Sequence, residues 1–549
     1  MDADTIIRGG NVFGAPAIRE PASAIAITSG RIAAIGGDEV LELSGPRTEV
    51  IDAAGGTIMP GFQDGHVHPL ESGLRRLRCD LSELPHSRDA YLQRIKAYAA
   101  THDDDWITGS GWYGDAFPGS LPTRHDLDEV VADRPAILGS HDAHGVWVNS
   151  RALQLAGITD TTPDPPGGRI NRDENGSATG VLVEAAADLV AQLVPKPSAE
   201  LMERALLEAQ QHLHSLGVTA WQDAIIGSMW GTPDNLPTYV SVAEKEQLTA
   251  RVVGALWWTP ERGLAQMDEL RARRMLGQFE RFRATSVKIM QDGICENCTG
   301  AMLSPYLTSH GPADQRGMSF IDADELRHIA QLLDADGFQI HLHAVGDRAV
   351  RESLDALEYA RTANGITDNR HQIAHVDVIH PEDVPRFAEL GVIANIQALW
   401  ARRDAEIVER KLPLLGKERE KWHFPFGSLA RAGARLAMGS DWPVTDPNPM
   451  WALHTAVHRT APPEDPHAVG VEALTVPLEA EQALDLRTAL DAYTIGSAYA
   501  NHLDTESGTI EVGKLADIVV LDQNVVATEH ISAIKPTLTM VGGEVVSSR

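Results

Sequence analysis

The chain has 549 residues, a length that admits one large α/β barrel or several smaller domains with a sizeable buried core. Its 47 basic and 77 acidic side chains give a formal net charge of −30, which disfavours nucleic acid and anionic membranes as partners and favours a small-molecule substrate. The three cysteines are too few for a disulfide framework, and the N-terminus lacks the features of a signal peptide, so the sequence predicts a cytoplasmic protein.

Both ends of the chain have the character of a small all-β unit. Between Thr5 and Gly56, short β-prone runs such as AIAITSGRIAAIG are broken by glycine, proline and aspartate, which is typical of hairpins. The last segment repeats this character in GTIEVGKLADIVVLDQN and PTLTMVGGEVVSS. We therefore predict that residues 1–57 and 501–549 pair into one β-sandwich domain around a larger central domain.

Short apolar runs alternate with other segments through the central part of the chain. The runs are TIMPGF, VTAWQDA, RVVGALWW, SVKIMQDG, FQIHLHAVGD, HQIAHVDV, VIANIQ and ARLAMGSD. Most of the gaps after the second run have helical periodicity, as in ADELRHIAQLLDADG. This alternation predicts an α/β fold, a (β/α)8 TIM barrel over residues 58–500, with its active site at the carboxyl ends of the strands.

The gap between the first and second runs extends from about residue 70 to residue 217 and is too long for a structureless loop. It is rich in turn-forming residues and contains the β-like pieces GVWVNS and GVLVEA. We predict an inserted α+β subdomain after strand one, at about residues 75–205, that caps the barrel mouth.

The segment GTIMPGFQDGHVH, from Gly56 to His68, ends in two histidines spaced i and i+2. Alternate side chains of a strand share a face, so His66 and His68 project together. Two neutral imidazoles side by side suit a divalent ion such as zinc. An isolated HxH is more often a pair of ordinary buried or surface histidines, so the interpretation depends on the later strands.

Polar residues also close the later strands of the predicted barrel. These residues are Lys288, His343, His375 and Asp441. Because the carboxyl ends of barrel strands surround one pocket, we expect them to form a metal centre together with the HxH pair.

The spacing leaves several alternatives open. His341 shares a face with His343, and His371 shares one with His375, so either member of each pair is a possible ligand. Lys288 is either a buried lysine paired with a barrel carboxylate or a lysine carbamate that bridges two metals. Asp441 either caps a helix or binds a metal and takes a proton from bound water.

Several motifs occur in a fixed order, namely PGFQDGHVH, VKIMQDG, HAVGDRA, HQIAH, ELGVIANIQ, GSDWPV and GKLADIVVLD. Together they resemble the amidohydrolase superfamily, in particular amidohydrolase family 3, the branch that includes N-substituted formamide deformylases. The similarity extends over nearly the whole chain and includes DAHGVWVNSRAL and ATGVLVEAA in the predicted insert. One departure is Ala374, where relatives commonly carry Glu. As the neighbour of an inward-facing histidine, Ala374 should point out of the pocket.

The resemblance implies a metal-dependent hydrolase that cleaves a non-peptide carbon–nitrogen bond, in an amide or in an N-formyl or N-acyl amine. It implies two divalent ions, usually zinc, the first held by His66, His68 and Asp441 and the second by His343 and His375. Lys288, as a carboxylated lysine, would bridge the two ions, and Asp441 would act as general base. The alternatives are a cyclic amide hydrolase or deaminase of the same fold, or a non-catalytic structural relative. We expect a homodimer.

Candidate substrate contacts are His144, Glu184, Asp223, Cys295 and Trp442. The first three lie in family-like motifs, and a structural role fits each of them equally well. Cys295 belongs to a CxxC pair with Cys298, but no second pair is present to complete a four-cysteine zinc site. We interpret the two cysteines as loop thiols that line or buttress the substrate pocket.

Overall fold

The computed structural model describes residues 2–16, 21–117, 121–141, 145–165, 168–228, 232–307, 314–468 and 470–549. The chain divides into two compact units. The first comprises Met1–His68, Gln210–Gly227 and Tyr239–Arg549, and the second comprises Pro69–Ala209 and Ser228–Thr238. Within the described ranges, every helix is too short or too polar to cross a membrane.

The first unit is built on an eight-stranded parallel sheet whose strands neighbour one another in chain order. The barrel strands, numbered one to eight, are Phe62–Val67, Val218–Ile226, Arg251–Trp257, Phe282–Met290, Gln339–Ala344, Gln372–His375, Ile393–Ile396 and Leu436–Met438. Backbone bonds join the two edges: Asp441 N–H donates to the carbonyl of His66 at 2.7 Å, and His68 N–H to that of Trp442 at 2.9 Å. The predicted barrel is confirmed.

Helices alternate with these strands, as the sequence periodicity predicts. They are Ala199–Ser215, Leu236–Glu244, Met267–Leu276, Ala323–Ala335, Asp347–Asn364, Val384–Leu390, Phe426–Arg431 and Leu486–Asp491, of which the first two begin in the second unit and end in the first. Other helices of this unit are Leu412–Leu415, Lys417–Glu420, Pro449–His458, Val471–Thr475 and Ser497–Ala500. In Ala323–Ala335, the Asp322 side chain caps two backbone N–H groups, and Leu326, Ile329 and Leu333 are buried at helical spacing.

The first apolar run of the sequence is divided between two sheets. Thr57–Pro60 pairs antiparallel with Ile518–Leu521, and the barrel strand begins only at Phe62. Between them Gly61 lies so close to Thr219 that a Cβ would be 2.2 Å from its Cγ2. The interpretation of all of TIMPGF as the first barrel strand is therefore wrong, because apolar periodicity does not mark where a chain passes from one sheet to the next.

Two further sheets of the first unit are formed near the chain ends. One contains Thr5–Arg8, Ala24–Thr28, Arg31–Gly36 and Glu49–Asp52. The other contains Asn11–Val12, Thr57–Pro60, Ile518–Leu521, Pro536–Val541 and Glu544–Ser548. Ile7 and Ile25 of the first sheet belong to one buried cluster with Ile518 and Met540 of the second. The second sheet therefore joins strands from both termini.

The second unit has a six-stranded sheet of its own. In spatial order its strands are Gly168–Arg172, Ala178–Glu184, Gly145–Val148, Ala136–Ser140, Ile107–Trp112 and Cys79–Asp80. Its helices are Pro69–Arg76, Arg88–Thr101, Arg124–Asp128, Ser150–Leu155 and Asp188–Ala191. Trp147 packs edge-on against Trp112 and Phe117 in its core. The β-like pieces GVWVNS and GVLVEA thus contain strands.

Candidate metal centre

Three side chains converge where the first and eighth barrel strands end. Asp441 Oδ1 lies 2.9 Å from His68 Nε2 and 3.3 Å from His66 Nε2. One possible ligand atom from each residue lies within 4.8 Å of the others, and all three residues are buried. Two imidazoles and a carboxylate are a donor set that suits a divalent transition metal such as zinc. The residues present therefore fit a metal ion.

Lys288 extends from the fourth strand toward the same place. Its Nζ lies 3.3 Å from His66 Nε2, and only 2% of the residue is exposed. Burial lowers the pKa of Lys288 to about 7, although the charge of Asp441 acts in the opposite direction. In the described part of the chain, no carboxylate forms an ion pair with Lys288. Lys288 therefore does not form the buried lysine–carboxylate ion pair that the sequence left open as an alternative.

His343 and His375 lie beside this group. Their ring centroids are 4.4 Å apart, and the ring of His375 is 4.8 Å from that of His66. The imidazole of His375 stacks on Trp400 with an interplanar angle of 1°. His375 Nδ1 is buried without a hydrogen-bond partner among the described residues. It is therefore an available ligand atom, and Trp400 holds its ring in place.

Strand six resolves one ambiguity of the sequence. His371 precedes the strand, and its Nε2 lies 3.0 Å from Asp334 Oδ1 while its Nδ1 accepts the N–H of Ile340 at 3.1 Å. Both ring nitrogens are therefore occupied. His371 has a structural role, and His375 is the residue of this pair that lies with the candidate ligands.

Asp292 is a residue whose role the sequence did not reveal. Its Oδ1 lies 3.2 Å from His343 Nδ1 and accepts the backbone N–H of Val345 at 3.0 Å. Its Oδ2 accepts the N–H groups of Ala301 and Gly346, both at 2.8 Å. Backbone N–H groups thus fix this carboxylate beside the imidazole, where partners of metal-binding histidines are commonly found, although His343 Nδ1 forms no hydrogen bond within the described residues. The motif VKIMQDG, in which Asp292 is the last residue but one, was the available signal.

The side-chain amides of Gln339 and Gln222 form a buried hydrogen-bonded chain that leads to the candidate metal centre, and backbone carbonyls fix the orientation of the first amide. Gln339 Nε2 donates to two backbone carbonyls, those of Arg370 at 2.8 Å and Ala500 at 2.6 Å. The Oε1 of Gln339 must then face Gln222, whose Nε2 donates to it at 2.7 Å. This orientation leaves the Oε1 of Gln222 as an acceptor for the next group in the chain.

That next group is His341, which therefore does not compete with His343 as a ligand. His341 Nδ1 donates to Gln222 Oε1 at 2.7 Å, so in the neutral ring Nε2 is an acceptor. It takes the Nδ1 proton of His66 at 2.8 Å. The Nε2 lone pair of His66 is thereby directed toward Lys288 and Asp441. Burial is the main cause that keeps the pKa values of both histidines well below the ordinary value, so both rings stay neutral.

Two buried carboxylates near the ends of strands one and eight differ in protonation. Asp64 Oδ1 accepts the backbone N–H groups of His66 and Ser440, both at 3.0 Å, but burial still raises the pKa of Asp64 to about 7. Burial also acts to raise the pKa of Asp441, yet the contact with His68 and the neighbouring charges outweigh it and the pKa is lowered. Asp441 is therefore ionised at neutral pH and suited to bind a cation.

The backbone at the centre is strained and closely packed. His375 and Asp441 have φ values of +76° and +55°, a left-handed conformation that is costly for residues with a side chain. Gly439 leaves no room for a side chain, since a Cβ would lie 2.5 Å from the backbone nitrogen of His66. Such strain is found mainly where function requires a particular side-chain position.

The candidate substrate residues lie in different environments. Asp223 lies close enough to His68 for the two to interact electrostatically. Burial raises the pKa of Asp223 to about 6, and Tyr239 donates to its Oδ2 at 2.7 Å. Trp442 is 8% exposed and lies 5.1 Å from the ring of His212. Cys295 is fully buried in an apolar cluster, and burial raises the pKa of its thiol, so it buttresses the core. His144 and the side chain of Glu184 lie outside the described residues.

A family model described as "Amidohydrolase family" matches residues 49–547 of the chain. The chain belongs to the amidohydrolase family. The resemblance deduced from the ordered motifs is thus confirmed.

Curated relatives of this amidohydrolase include proteins that it matches over most of their length. It is 31% identical to the protein LONG AFTER FAR-RED 3 of Arabidopsis thaliana, over 95% of this chain and 88% of that one. It is 30% identical to the amidohydrolase YtcJ of Bacillus subtilis, over 91% of both chains. It is 29% identical to N-substituted formamide deformylase of Arthrobacter pascens, over 98% of this chain and 97% of that one.

Solved structures agree with this assignment. A metal-dependent hydrolase from Pyrococcus horikoshii superposes with a TM-score of 0.73 at 26% identity, over 96% of this amidohydrolase and 99% of that chain. One from Pyrococcus furiosus superposes with a TM-score of 0.70 at 25% identity, over 94% and 98% of the two chains. The chain therefore shares its fold with these two proteins, both of which are described as metal-dependent hydrolases.

Proposed function

We propose that this amidohydrolase cleaves a non-peptide carbon–nitrogen bond, in an amide or in an N-formyl or N-acyl amine. The observation that carries the proposal is the convergence of His66, His68 and Asp441 beside Lys288 at the carboxyl ends of the barrel strands. The similarity to an N-substituted formamide deformylase over nearly its whole length supports the choice of bond.

The proposed centre would hold two zinc ions. His66, His68 and Asp441 would hold the first and His343 and His375 the second, with carboxylated Lys288 as a ligand to both. The Lys288 amine would take up carbon dioxide to form the carbamate and release a proton. When bound, such ions lower the pKa of a water molecule from ~15.7 toward neutrality and polarise a carbonyl group.

Asp441 would move the proton during the reaction. Its lowered pKa leaves a carboxylate oxygen free of a proton, so it can accept one from the attacking water. The same oxygen would then deliver the proton to the leaving nitrogen, so that the amine departs neutral. His341 would keep the Nδ1 proton of His66 in place throughout, because its own Nδ1 is already committed to Gln222.

The first experiment combines metal analysis with a substrate screen. We expect two equivalents of zinc per chain, an added mass of one carbon dioxide on Lys288 in native mass spectrometry, and turnover of at least one N-formyl or N-acyl amine. A single ion with unmodified Lys288 would instead favour a deaminase, for which the three-residue group His66, His68 and Asp441 would suffice. Metal-free protein without activity on either class would contradict both proposals.

The substitution Asp441→Asn separates proton transfer from architecture. Asn keeps the shape and a ligating oxygen but accepts no proton, so we expect turnover to fall by ~10²–10⁴-fold while the fold persists. Metal occupancy is expected to fall in part, because a neutral amide is the poorer ligand. Rate, metal content and melting temperature are measured on one preparation. Turnover near wild type in a fully metallated variant would assign the proton transfer to another group.

We also propose a domain organisation for this chain. The two terminal sheets would form a small β-sandwich domain, which their shared cluster of Ile7, Ile25, Ile518 and Met540 supports. The second unit would be an α+β subdomain inserted after barrel strand one, since it begins at Pro69, directly after His68. The homodimer and the cytoplasmic location stay predictions.

A further inference from the structure

Arg459 is a fully buried cation that forms no ion pair among the described residues, although the charge of Glu479 acts on it. Its exposed fraction is 0%, and its Nε donates to the carbonyl oxygen of Leu478 at 2.7 Å. Its guanidinium carbon lies 5.3 Å from the centre of the Phe426 ring. Nη1 and Nη2, with four N–H donors between them, have no hydrogen-bond partner in the described ranges. A buried charge and buried donors in this state are strongly unfavourable unless something neutralises and accepts from them.

His423 is a second buried group whose polar atoms lack partners. Its exposed fraction is 0%, and neither Nδ1 nor Nε2 forms a hydrogen bond within the described part of the chain. Its ring lies 4.0 Å from that of Phe424, which is 5.7 Å from the Phe426 ring beside Arg459. Burial, together with the charges of Lys411 and Arg459, lowers the pKa of His423. The two unpartnered groups therefore adjoin the same pair of aromatic rings, Phe424 and Phe426, with the Lys411 amine 5.1 Å from the centre of the Phe424 ring.

Arg402 shows how this fold treats a buried guanidinium elsewhere. Only 4% of Arg402 is exposed, and its Nε lies 3.1 Å from Asp404 Oδ2. It also forms an ion pair with Asp465. Two carboxylates thus contact Arg402 directly, whereas Glu479, whose charge acts on Arg459, leaves Nη1 and Nη2 without a hydrogen bond in the described structure. Native structures rarely leave such groups unsatisfied, which indicates that a bound ligand rather than a side chain satisfies them.

We propose that Arg459 and His423 form a buried binding site for a small monovalent anion, with chloride as its ligand. The guanidinium N–H groups and the imidazole N–H are donors that a halide accepts. A water molecule would accept hydrogen bonds but would leave Arg459 without a neutralising group in contact, since Glu479 acts on it without forming an ion pair. An anion would both accept the hydrogen bonds and neutralise the charge directly. The apolar rings of Phe424 and Phe426 favour a small ion over a larger carboxylate. The site would stabilise the segment from Arg459 to Leu478 and is independent of the metal centre.

The first test measures the melting temperature of the full-length protein in sodium chloride and in sodium gluconate of equal ionic strength. A ligand that binds only the folded state stabilises it, so the melting temperature should rise with chloride and level off. Arg459→Met should abolish this rise. Arg402→Met is the matched control, because it removes a buried guanidinium that has its own carboxylates, and its chloride response should persist. Equal melting of the wild type in both salts would overturn the proposal.

His423 gives a second, milder pair of variants. His423→Gln keeps a donor and should retain the chloride response, whereas His423→Leu should raise the chloride concentration for half of the effect by about tenfold. An unchanged half-effect concentration in His423→Leu would remove His423 from the site.

Bromide soaking of wild-type crystals does not depend on variants that fold. An anomalous peak within hydrogen-bonding distance of the Arg459 guanidinium and of a His423 ring nitrogen is expected. Water density without anomalous signal between the two side chains would show that water alone satisfies these donors, and the anion site would be abandoned.

Discussion

Replacement of His341 by Phe tests the hydrogen-bond chain beneath the metal centre. His341 is fully buried on strand five, and its Nε2 lies 2.8 Å from His66 Nδ1. Phe keeps a flat ring but removes both nitrogens, so the Nδ1 proton of His66 loses its acceptor. The tautomer that directs the Nε2 lone pair toward Asp441 is then no longer favoured.

The size of the effect follows from that single lost contact. A buried donor left without a partner costs about 1–3 kcal/mol. His66 avoids this cost by carrying its proton on Nε2, which is the nitrogen needed for the metal. Since about 1.4 kcal/mol corresponds to a tenfold change, the affinity for zinc should fall by about 10- to 100-fold. This range agrees with the usual effect of removing the partner of a metal-bound histidine.

The assay is competition for zinc between metal-free protein and a chromophoric chelator, with the melting temperature as a check on folding. Ser286→Ala is the matched control. Ser286 is buried in the same network and accepts from Gln222 Nε2 at 2.9 Å, but the 2.7 Å bond from Gln222 to Gln339 survives its loss. His341 therefore keeps its acceptor, and the zinc affinity should stay near that of the wild type. Wild-type affinity in His341→Phe, or an equal loss in Ser286→Ala, would refute the reasoning.

Three further outcomes are expected. Gly439→Ala should lower both the melting temperature and the zinc content, because a Cβ would lie 2.5 Å from the His66 nitrogen, and a variant with full zinc content would contradict this. Burial acts to raise the pKa of Asp334, but hydrogen bonds from His371 and other side chains hold it well below the ordinary value. The ionised carboxylate therefore stabilises the folded state above about pH 4, and this stabilisation is lost as the pH falls further. The Asp334→Asn variant should therefore have a lower melting temperature than the wild type at neutral pH, and its melting temperature should fall less between about pH 5 and about pH 3. Parallel dependence of the two melting temperatures on pH would contradict this. Deletion of residues 536–549 should expose the edge of Ile518–Leu521 and cause aggregation, which light scattering measures, whereas a soluble variant with unchanged melting would argue that the tail is independent.

The sequence by itself determined the features that depend on local spacing. Alternation places His66 and His68 on one face of a strand whatever surrounds them, and the helix at Ala323–Ala335 follows from its cap and its apolar period. The order of strands and helices predicted the barrel, because parallel strands with helical connections have few other ways to bury their apolar faces. The ordered motifs then identified the family.

Only the tertiary structure decided between residues that the spacing treats alike. His341 and His343 share a face of strand five, and their roles differ because one lies deep enough in the barrel to meet Gln222 while the other lies beside His375. The partners of Gln222 come from other strands, and their register is set by packing of the whole barrel. The tertiary structure also decides the environment of Arg459, because nothing in the sequence distinguishes it from an ordinary surface arginine. Its burial depends on which distant segments cover it, and no local pattern encodes that.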